Sequence, residues 1–261
     1  MTIRLVNIYA GYRRGDFVLR DVNLEIKGNT VILGPNGSGK TTLMRTLLGI
    51  TVFKKGRIII DGVDIDSIKG VPGLVSANLP ELFMFSRLPV KHTAKFYLDL
   101  VNGDYDYFKD IISRIAVKDV LNKRFHDLSA GLKTIVLNAL ALASNSKYVL
   151  LDEPFENLDP ARRVAILEEI SKSKSTKIMS THTTWLLKAL EDWDLHLIVE
   201  GVVYGPLKPR ELMDLKISRE PVNDAVLTIK LRSRGEIYLS RTTGTPISSM
   251  DSLDKLYEVI M

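Results

Sequence analysis

Cysteine is absent from all 261 residues, which excludes disulfides, thiolate zinc sites and cysteine-ligated iron–sulfur clusters. Long apolar runs are missing too, since none approaches the roughly 18 residues that a bilayer-spanning helix requires. The opening Met1-Thr2-Ile3-Arg4-Leu5-Val6-Asn7 lacks the continuous apolar core of a secretory signal, so the chain is expected to be made and kept in the cytosol. The formal charge of +5 is mildly basic, but no long Lys/Arg block carries it, so no nucleic-acid partner is expected. Internal repeats, low-complexity tracts and flexible linkers are lacking as well. A chain of this length buries a sizeable core and allows one large domain with an appendage.

The stretch that is present and most informative is Gly34-Pro35-Asn36-Gly37-Ser38-Gly39-Lys40-Thr41, which matches a phosphate-binding P-loop at every fixed position. Its context agrees. Thr30 to Leu33 is a short apolar run suited to a buried strand, and from Thr41 to Leu48 apolar residues recur at helical spacing. Glycines let successive backbone N–H groups point inward, where the positive end of the helix adds its field toward a polyphosphate. In that reading Lys40 reaches the β and γ phosphates, and the Thr41 hydroxyl sits on the accompanying magnesium ion.

Around this loop, Ile3 to Asn7 and Asp21 to Ile26 alternate as half-buried strands, with the polar turn Arg13-Arg14-Gly15-Asp16 between them and Tyr12 at the edge. Gly56 to Gly62 reads as a further strand closing on a turn, followed by a short piece from Val63 to Ile65. Pro89 to Leu128 is helical in pattern, with Phe96, Leu100, Ile111, Ile112 and Ile115 expected to be buried and Asn102-Gly103-Asp104 as a break. Gly131 to Ser144 reads as an amphipathic helix through Leu132, Ile135, Val136, Ala139, Leu140 and Ala143. Tyr148 to Leu151 is an apolar strand, Pro160 opens a helix, and Lys177 to Ser180 is a strand that leads to His182. This alternation predicts an α/β fold, a P-loop NTPase core of mainly parallel sheet with helices on both faces, an antiparallel β flank and a helical subdomain. After the helical Pro209 to Leu215, the alternation of Leu227, Ile229 and Leu231, the turn from Arg232 to Gly235 and the segment Glu236 to Arg241 predict a hairpin. Met250, Leu253, Leu256, Tyr257 and Ile260 fall on one face of a terminal helix.

Asp152-Glu153 at the end of a buried strand suits magnesium binding by Asp152 and polarisation of an attacking water by Glu153, although an acidic turn after a strand has the same appearance. With Tyr12, the P-loop, Leu128-Ser129-Ala130-Gly131-Leu132-Lys133, Leu151-Asp152-Glu153-Pro154, Asn157-Leu158-Asp159 and Ser180-Thr181-His182 in that order, the chain resembles an ABC-type ATPase domain over about 1–215, with a helical subdomain at about 78–130 and a C-terminal extension at 216–261. The resemblance implies ATP and Mg2+ as cofactors. It implies that Tyr12 stacks on adenine and that Gly34 to Thr42, including Thr42 itself, bind the phosphates. Asp152 then holds magnesium, Glu153 is the general base, and His182 contacts the γ phosphate. Ser129, Gly131 and Asp159 contact nucleotide from the signature segment and the loop that follows Asp152-Glu153-Pro154. Asn78 stands where the family has a glutamine that reaches magnesium and the water. Two further departures are Ala130 for glycine and Leu132 for glutamine in the signature.

As partners the resemblance implies an integral membrane transporter subunit and a second ATPase domain, in a homodimer or a heterodimer with a related chain. The implied place is the cytoplasmic face of the cell membrane. Leu82-Phe83-Met84-Phe85 is an apolar segment either at that membrane-subunit interface or packed inside the helical subdomain. A soluble, non-transport ABC ATPase, such as one for cofactor assembly, is the alternative. The layout leans toward exporter subunits.

Overall fold

Ile3, Leu5 and Ile8 turn to the interior from β1 (Ile3–Gly11), the central strand of an antiparallel sheet in which it pairs with β2 (Leu19–Ile26) and β4 (Phe53–Ile60). The strand runs four residues beyond the alternation read from sequence because its register shifts near Asn7, whose φ is 49°. At that bulge the facing position must be glycine, since a Cβ on Gly56 would lie 2.5 Å from the Val6 carbonyl oxygen. This sheet ends on β5 (Val63–Asp64). Between β2 and β4 the chain makes β3 (Thr30–Leu33), buried at all four residues, and then α1 (Lys40–Leu47).

The computed structural model describes residues 1–13, 15–83, 86–116, 119–232 and 235–255. The chain forms two compact units, Met1–Lys69 with Ser180–Met261, and Gly70–Met179.

In the second unit, β6 (Val75–Ala77) pairs in parallel with β7 (Tyr148–Asp152). The unit's helices are α2 (Val90–Val101), α3 (Tyr105–Ile115), α4 (Ala130–Ala143) and α5 (Pro160–Lys172). Asn102, in the left-handed region at φ 57°, ends α2, and the Asp104 carboxylate caps α3 by accepting from Tyr107 N at 2.8 Å. Two expectations fail in α2. Phe96 and Leu100 are 66% and 57% exposed, because the helix buries Val90, Ala94 and Leu98 at a spacing of four, and a residue two positions from each of these points away from the core. Ile111, Ile112 and Ile115 are buried as expected. The α4 helix is no amphipathic surface helix either, since every residue from Ile135 to Ala143 is buried and a one-sided stripe does not describe it. Between α3 and α5, Glu169 is buried and accepts from Arg114 Nη1 at 2.8 Å, Lys172 Nζ at 2.8 Å and Tyr107 OH at 2.9 Å. The Arg114 hydrogen bond holds this carboxyl down near 2.

Along β8 (Thr176–Thr181) the chain passes back to the first unit. There β9 (Asp194–Val199) pairs in parallel with β3 and turns at Glu200 and Gly201, both at positive φ, into antiparallel β10 (Val202–Leu207). After α6 (Pro209–Met213) come β11 (Lys216–Ser218), β12 (Ala225–Leu231), β13 (Gly235–Ser240) and β14 (Thr245–Pro246), in the sheet order β12-β13-β11-β14. Met250 and Leu253 are buried, but Met250 closes a short 3-10 helix (Ile247–Ser249) and Leu253 lies in a turn; the remainder of the expected terminal helix, with Leu256, Tyr257 and Ile260, lies outside the described residues. So do Arg14, Met84, Phe85 and the middle of the turn from Arg232 to Gly235.

His196 on β9 is buried, and burial pushes its imidazole down to about 4 against a smaller opposing pull from Asp194. The unfolded chain therefore takes up this proton first as pH falls, so stability is full above about pH 6.5 and is lost toward pH 4. Urea unfolding is expected to show about 2 kcal/mol less stability at pH 5 than at pH 7 from this group. In His196→Gln that increment should disappear, and an identical pH slope in the variant would refute the assignment.

Candidate functional site

β3 delivers the chain into the loop Gly34 to Gly39, and the backbone dictates where glycine must stand. A Cβ on Gly34 would meet the Ile198 carbonyl oxygen and lie 2.7 Å from Ile198 Cγ2 and 2.8 Å from Ser38 Oγ, so a side chain there displaces main chain. Gly37 and Gly39 hold φ of 76° and 108°, which L-residues with side chains resist. Gly34 N donates to Thr181 O at 3.0 Å, fastening the loop to the end of β8 beside His182, and Gly201 N donates to Ser38 O at 2.8 Å. Pro35 is buried while Asn36 and Gly37 are exposed at the loop's outer bend.

Helix α1 starts at Gly39 with no side-chain cap, which leaves its first N–H groups for a ligand. Lys40 is buried, and its ammonium donates to Gly34 O at 2.8 Å and Pro35 O at 3.0 Å, folded back over the loop that it would serve. Ser38 Oγ is buried without a hydrogen-bond partner among the described residues, a costly condition that a phosphate oxygen would relieve. Thr41 is the second residue of α1. Tyr12, 46% exposed, shares a hydrogen bond of 3.0 Å with Thr42 Oγ1 and accepts from Arg45 Nη1 at 2.6 Å, so its ring is tethered to the P-loop helix. His182 is half-buried just after β8, and its carbonyl accepts from Leu253 N at 2.8 Å.

One neighbour of the loop carried no signal in the sequence. The Asp254 carboxylate accepts from Asn36 N at 2.6 Å through Oδ1 and from Asn36 Nδ2 at 2.9 Å through Oδ2, across 218 positions of chain. The segment is held by Thr184 N donating to Asp251 O at 3.1 Å, the Thr184 hydroxyl donating to the Met250 carbonyl, and the Thr183–Ser252 bridge.

In the second unit, Asp152 ends β7 and Glu153 follows at φ 44°, an uncommon conformation for a residue with a side chain. Asn78, expected to reach metal and water, is buried with its amide already engaged: Nδ2 donates to Asp152 O at 3.1 Å and Asn138 Oδ1 at 2.8 Å, and Oδ1 accepts from Asp152 N at 2.7 Å. Asn138 Nδ2 donates in turn to Pro154 O at 2.7 Å. Sequence reading missed Asn138, a single amide in an apolar helix. Ser129 is the N-cap of α4, accepting from Leu132 N at 3.4 Å, and a Cβ on Gly131 would come 2.5 Å from the Asn157 carbonyl oxygen. Asp159 caps α5, accepting from Arg162 N at 3.0 Å, with Arg162 Nη1 at 3.2 Å from its other oxygen. No helix among the described residues is long and apolar enough to cross a membrane.

Comparison with known proteins agrees with this anatomy. Residues 19–156 match the model of the family described as ABC transporter. A provisionally named ABC transporter ATP-binding protein of Pyrococcus abyssi is 30% identical over 82% of this chain and 87% of its own. The energy-coupling factor transporter ATP-binding protein EcfA of Aster yellows witches'-broom phytoplasma is 30% identical over 75% of each chain. A solved structure provisionally described as a cobalt transport ATP-binding protein superposes with a TM-score of 0.87 at 31% identity, covering 99% of this chain and 100% of its own. The chain belongs to the ABC transporter family. Within it, the chain is an ATP-binding subunit with the P-loop NTPase fold, and its reaction is the hydrolysis of ATP.

Proposed function

We propose that this chain is the ATP-hydrolysing subunit of a transporter whose membrane-spanning subunits are separate chains, acting with Mg2+ in a dimer with itself or with a related ATPase chain, on the cytoplasmic face of the membrane. The observation that carries the nucleotide site is the loop from Gly34 to Lys40, with its uncapped helix start, orphaned Ser38 hydroxyl and inward-folded Lys40. As ATP enters, Lys40 exchanges the Gly34 and Pro35 carbonyls for β and γ phosphate oxygens, Ser38 donates its hydroxyl, and the Gly37 to Thr42 main chain supplies N–H donors. The exposed face of Tyr12 suits stacking on adenine. Thr41 and Asp152 carry the oxygen donors that would hold Mg2+, whose charge would offset that of the phosphates.

Glu153 is the general base. Its carboxylate takes a proton from the water whose oxygen attacks the γ phosphorus, the bond to the β–γ bridging oxygen breaks, and ADP leaves with its new charge met by Lys40. The His182 imidazole is suited to donate a hydrogen bond to the γ phosphate. Ser129 and Gly131 serve the nucleotide of the partner ATPase domain, and Asp159 shapes the loop beside them. We assign 1–215 to the ATPase domain, about 78–130 to its helical subdomain and 216–261 to an extension.

For the membrane partner, the second unit carries an apolar cavity of about 430 Å³ lined by Leu82, Phe83, Leu88, Phe96, Tyr97 and Leu100 among others. The exposed Phe96 ring and Leu100 side chain, both expected in the core, lie here, where a short apolar helix of the membrane subunit would cover them. Relatives with named transport roles include a methionine import subunit of Clostridium acetobutylicum, 30% identical over 74% of this chain and 64% of its own, which lends no weight to the exporter leaning.

Lys40→Ala is expected to lose ATP binding, whereas Glu153→Gln should bind ATP normally, turn over about 10²- to 10⁴-fold more slowly and accumulate a dimer with ATP and magnesium in sedimentation. Wild-type turnover in either variant, free of contaminating ATPase, would overturn the site. Phe96→Asp should bind ATP as the wild type does and fail to copurify with integral membrane subunits. Copurification undiminished, or soluble partners only, would remove the cavity from the membrane interface.

A further inference from the structure

We propose that Asn138, acting with Asn78, is a positioning residue for the Glu153 carboxylate; the inference rests on the reading of Glu153 as general base. Four hydrogen bonds make the device. Asn78 grips Asp152 at both its N–H and its carbonyl, Asn138 grips the Pro154 carbonyl, and the two amides bond to each other at 2.8 Å. The residues on either side of Glu153, Asp152 and Pro154, are therefore both held through their main chain by side-chain amides, and the Glu153 carbonyl accepts from Glu156 N at 3.0 Å, while Glu153 itself sits at φ 44°. A left-handed residue of this kind relaxes unless its neighbours are over-determined. Both amides are buried, and α4 around Asn138 offers only apolar side chains from Ile135 to Ala143. A lone asparagine in such a helix costs desolvation that its hydrogen bonds only offset, so an apolar residue would serve packing equally well. What the amide adds is geometry. The same pair gives Asn78 a role that its short side chain can fill, with every bond inside one unit.

The test is steady-state ATPase kinetics of the full chain, with nucleotide affinity measured separately by a fluorescent ATP analogue. Asn138→Leu should lower kcat 10- to 100-fold while KM and the dissociation constant stay within about twofold. Asn138→Ser, which retains a hydroxyl donor, should recover part of the loss and covers the case in which the leucine variant does not fold. In a double-mutant cycle, Asn78→Ala should add little to Asn138→Leu, since both break one chain of bonds. An unchanged kcat in a folded variant, or a parallel loss of kcat and affinity, would overturn the proposal. Glu153→Gln assayed alongside separates the two readings. Turnover retained there sinks the general base; turnover lost there but retained in both Asn138 variants sinks the clamp alone.

An independent observation carries a second proposal, that Asp254 is an autoinhibitory latch on the P-loop. Its carboxylate occupies both the main-chain and side-chain donors of Asn36, placing a negative charge at the outer bend of a loop built for anions. An incoming polyphosphate meets that charge, and the field rises as solvent is displaced. Asp254→Asn keeps a polar group at the same place and removes the repulsion. It should tighten ATP binding three- to tenfold, with the difference shrinking as salt rises from 50 to 500 mM. Equal affinities for the variant and the wild type at low salt, with both folded, would overturn the latch.

Discussion

A helix start without a cap is the constraint on which the first unit depends. Gly39 offers no side chain to the opening turn of α1, Ser38 buries a hydroxyl that bonds to nothing described, and Gly37 and Gly39 hold conformations that cost chain entropy. An unsatisfied buried hydroxyl alone costs about 1–3 kcal/mol. Such a loop persists because its surroundings fix it from several sides. The buried strand β3 feeds it, Thr181 and Gly201 bond to its main chain, and Tyr12 is tied to the helix behind it. Thr181 precedes His182, so the hydrogen bond that fastens the loop also fixes the main chain just before that residue. Rigidity here is a precondition for anion binding, because donors already aimed inward need not be reorganised when phosphate arrives.

In the second unit a comparable role falls to a polar pair within an apolar layer. The α4 helix is buried all round from Ile135 to Ala143, and packing alone would favour leucine or isoleucine at position 138. The amides of Asn78 and Asn138 instead tie β6, α4 and the segment after β7 through directional bonds whose lengths tolerate little displacement. Hydrophobic contact fixes which elements meet. Hydrogen bonds of fixed length decide how the acidic turn is presented.

What could be read from the sequence follows the range of the interaction that produced it. The P-loop was legible because its glycines, lysine and threonine are adjacent and their spacing is set by one loop. β7 and the start of α5 were legible as an apolar run and as a proline after Asp159. β1 was cut short at Asn7 because a bulge shifts the period of two by one residue, and Phe96 and Leu100 were misplaced because an apolar residue carries the same signal in a core and in an exposed cavity wall. β11 and β14, three and two residues long, are too short for any alternation to show. Asn138 and Asp254 were beyond reach for a different reason. Asn138 bonds to Asn78, 60 positions away, as well as to Pro154, and Asp254 bonds to Asn36, 218 positions away; nothing in the local pattern of an asparagine or aspartate records a distant amide.

The signature segment and the loop after β7 show how capping chemistry separates roles that sequence resemblance assigns together. Ser129 caps α4 by accepting a hydrogen bond, and a hydroxyl that accepts still has its own proton to donate. It can hold its helix and serve a phosphate at once. Asp159 has no such second capacity, because an ionised carboxylate only accepts, and both its oxygens face donors of Arg162. Toward a polyphosphate it offers repulsion and no proton. Its contribution is to the course of the chain from Asn157 to Pro160, and that course brings the Asn157 carbonyl so close to Gly131 that no side chain fits at the start of α4. Glycine at 131 is thus demanded by contact within its own unit before any nucleotide is considered, while serine at 129 is demanded by neither contact nor capping alone, since aspartate or asparagine would cap as well. Among the residues of this segment, the hydroxyl at 129 is the one whose chemistry capping leaves unspent.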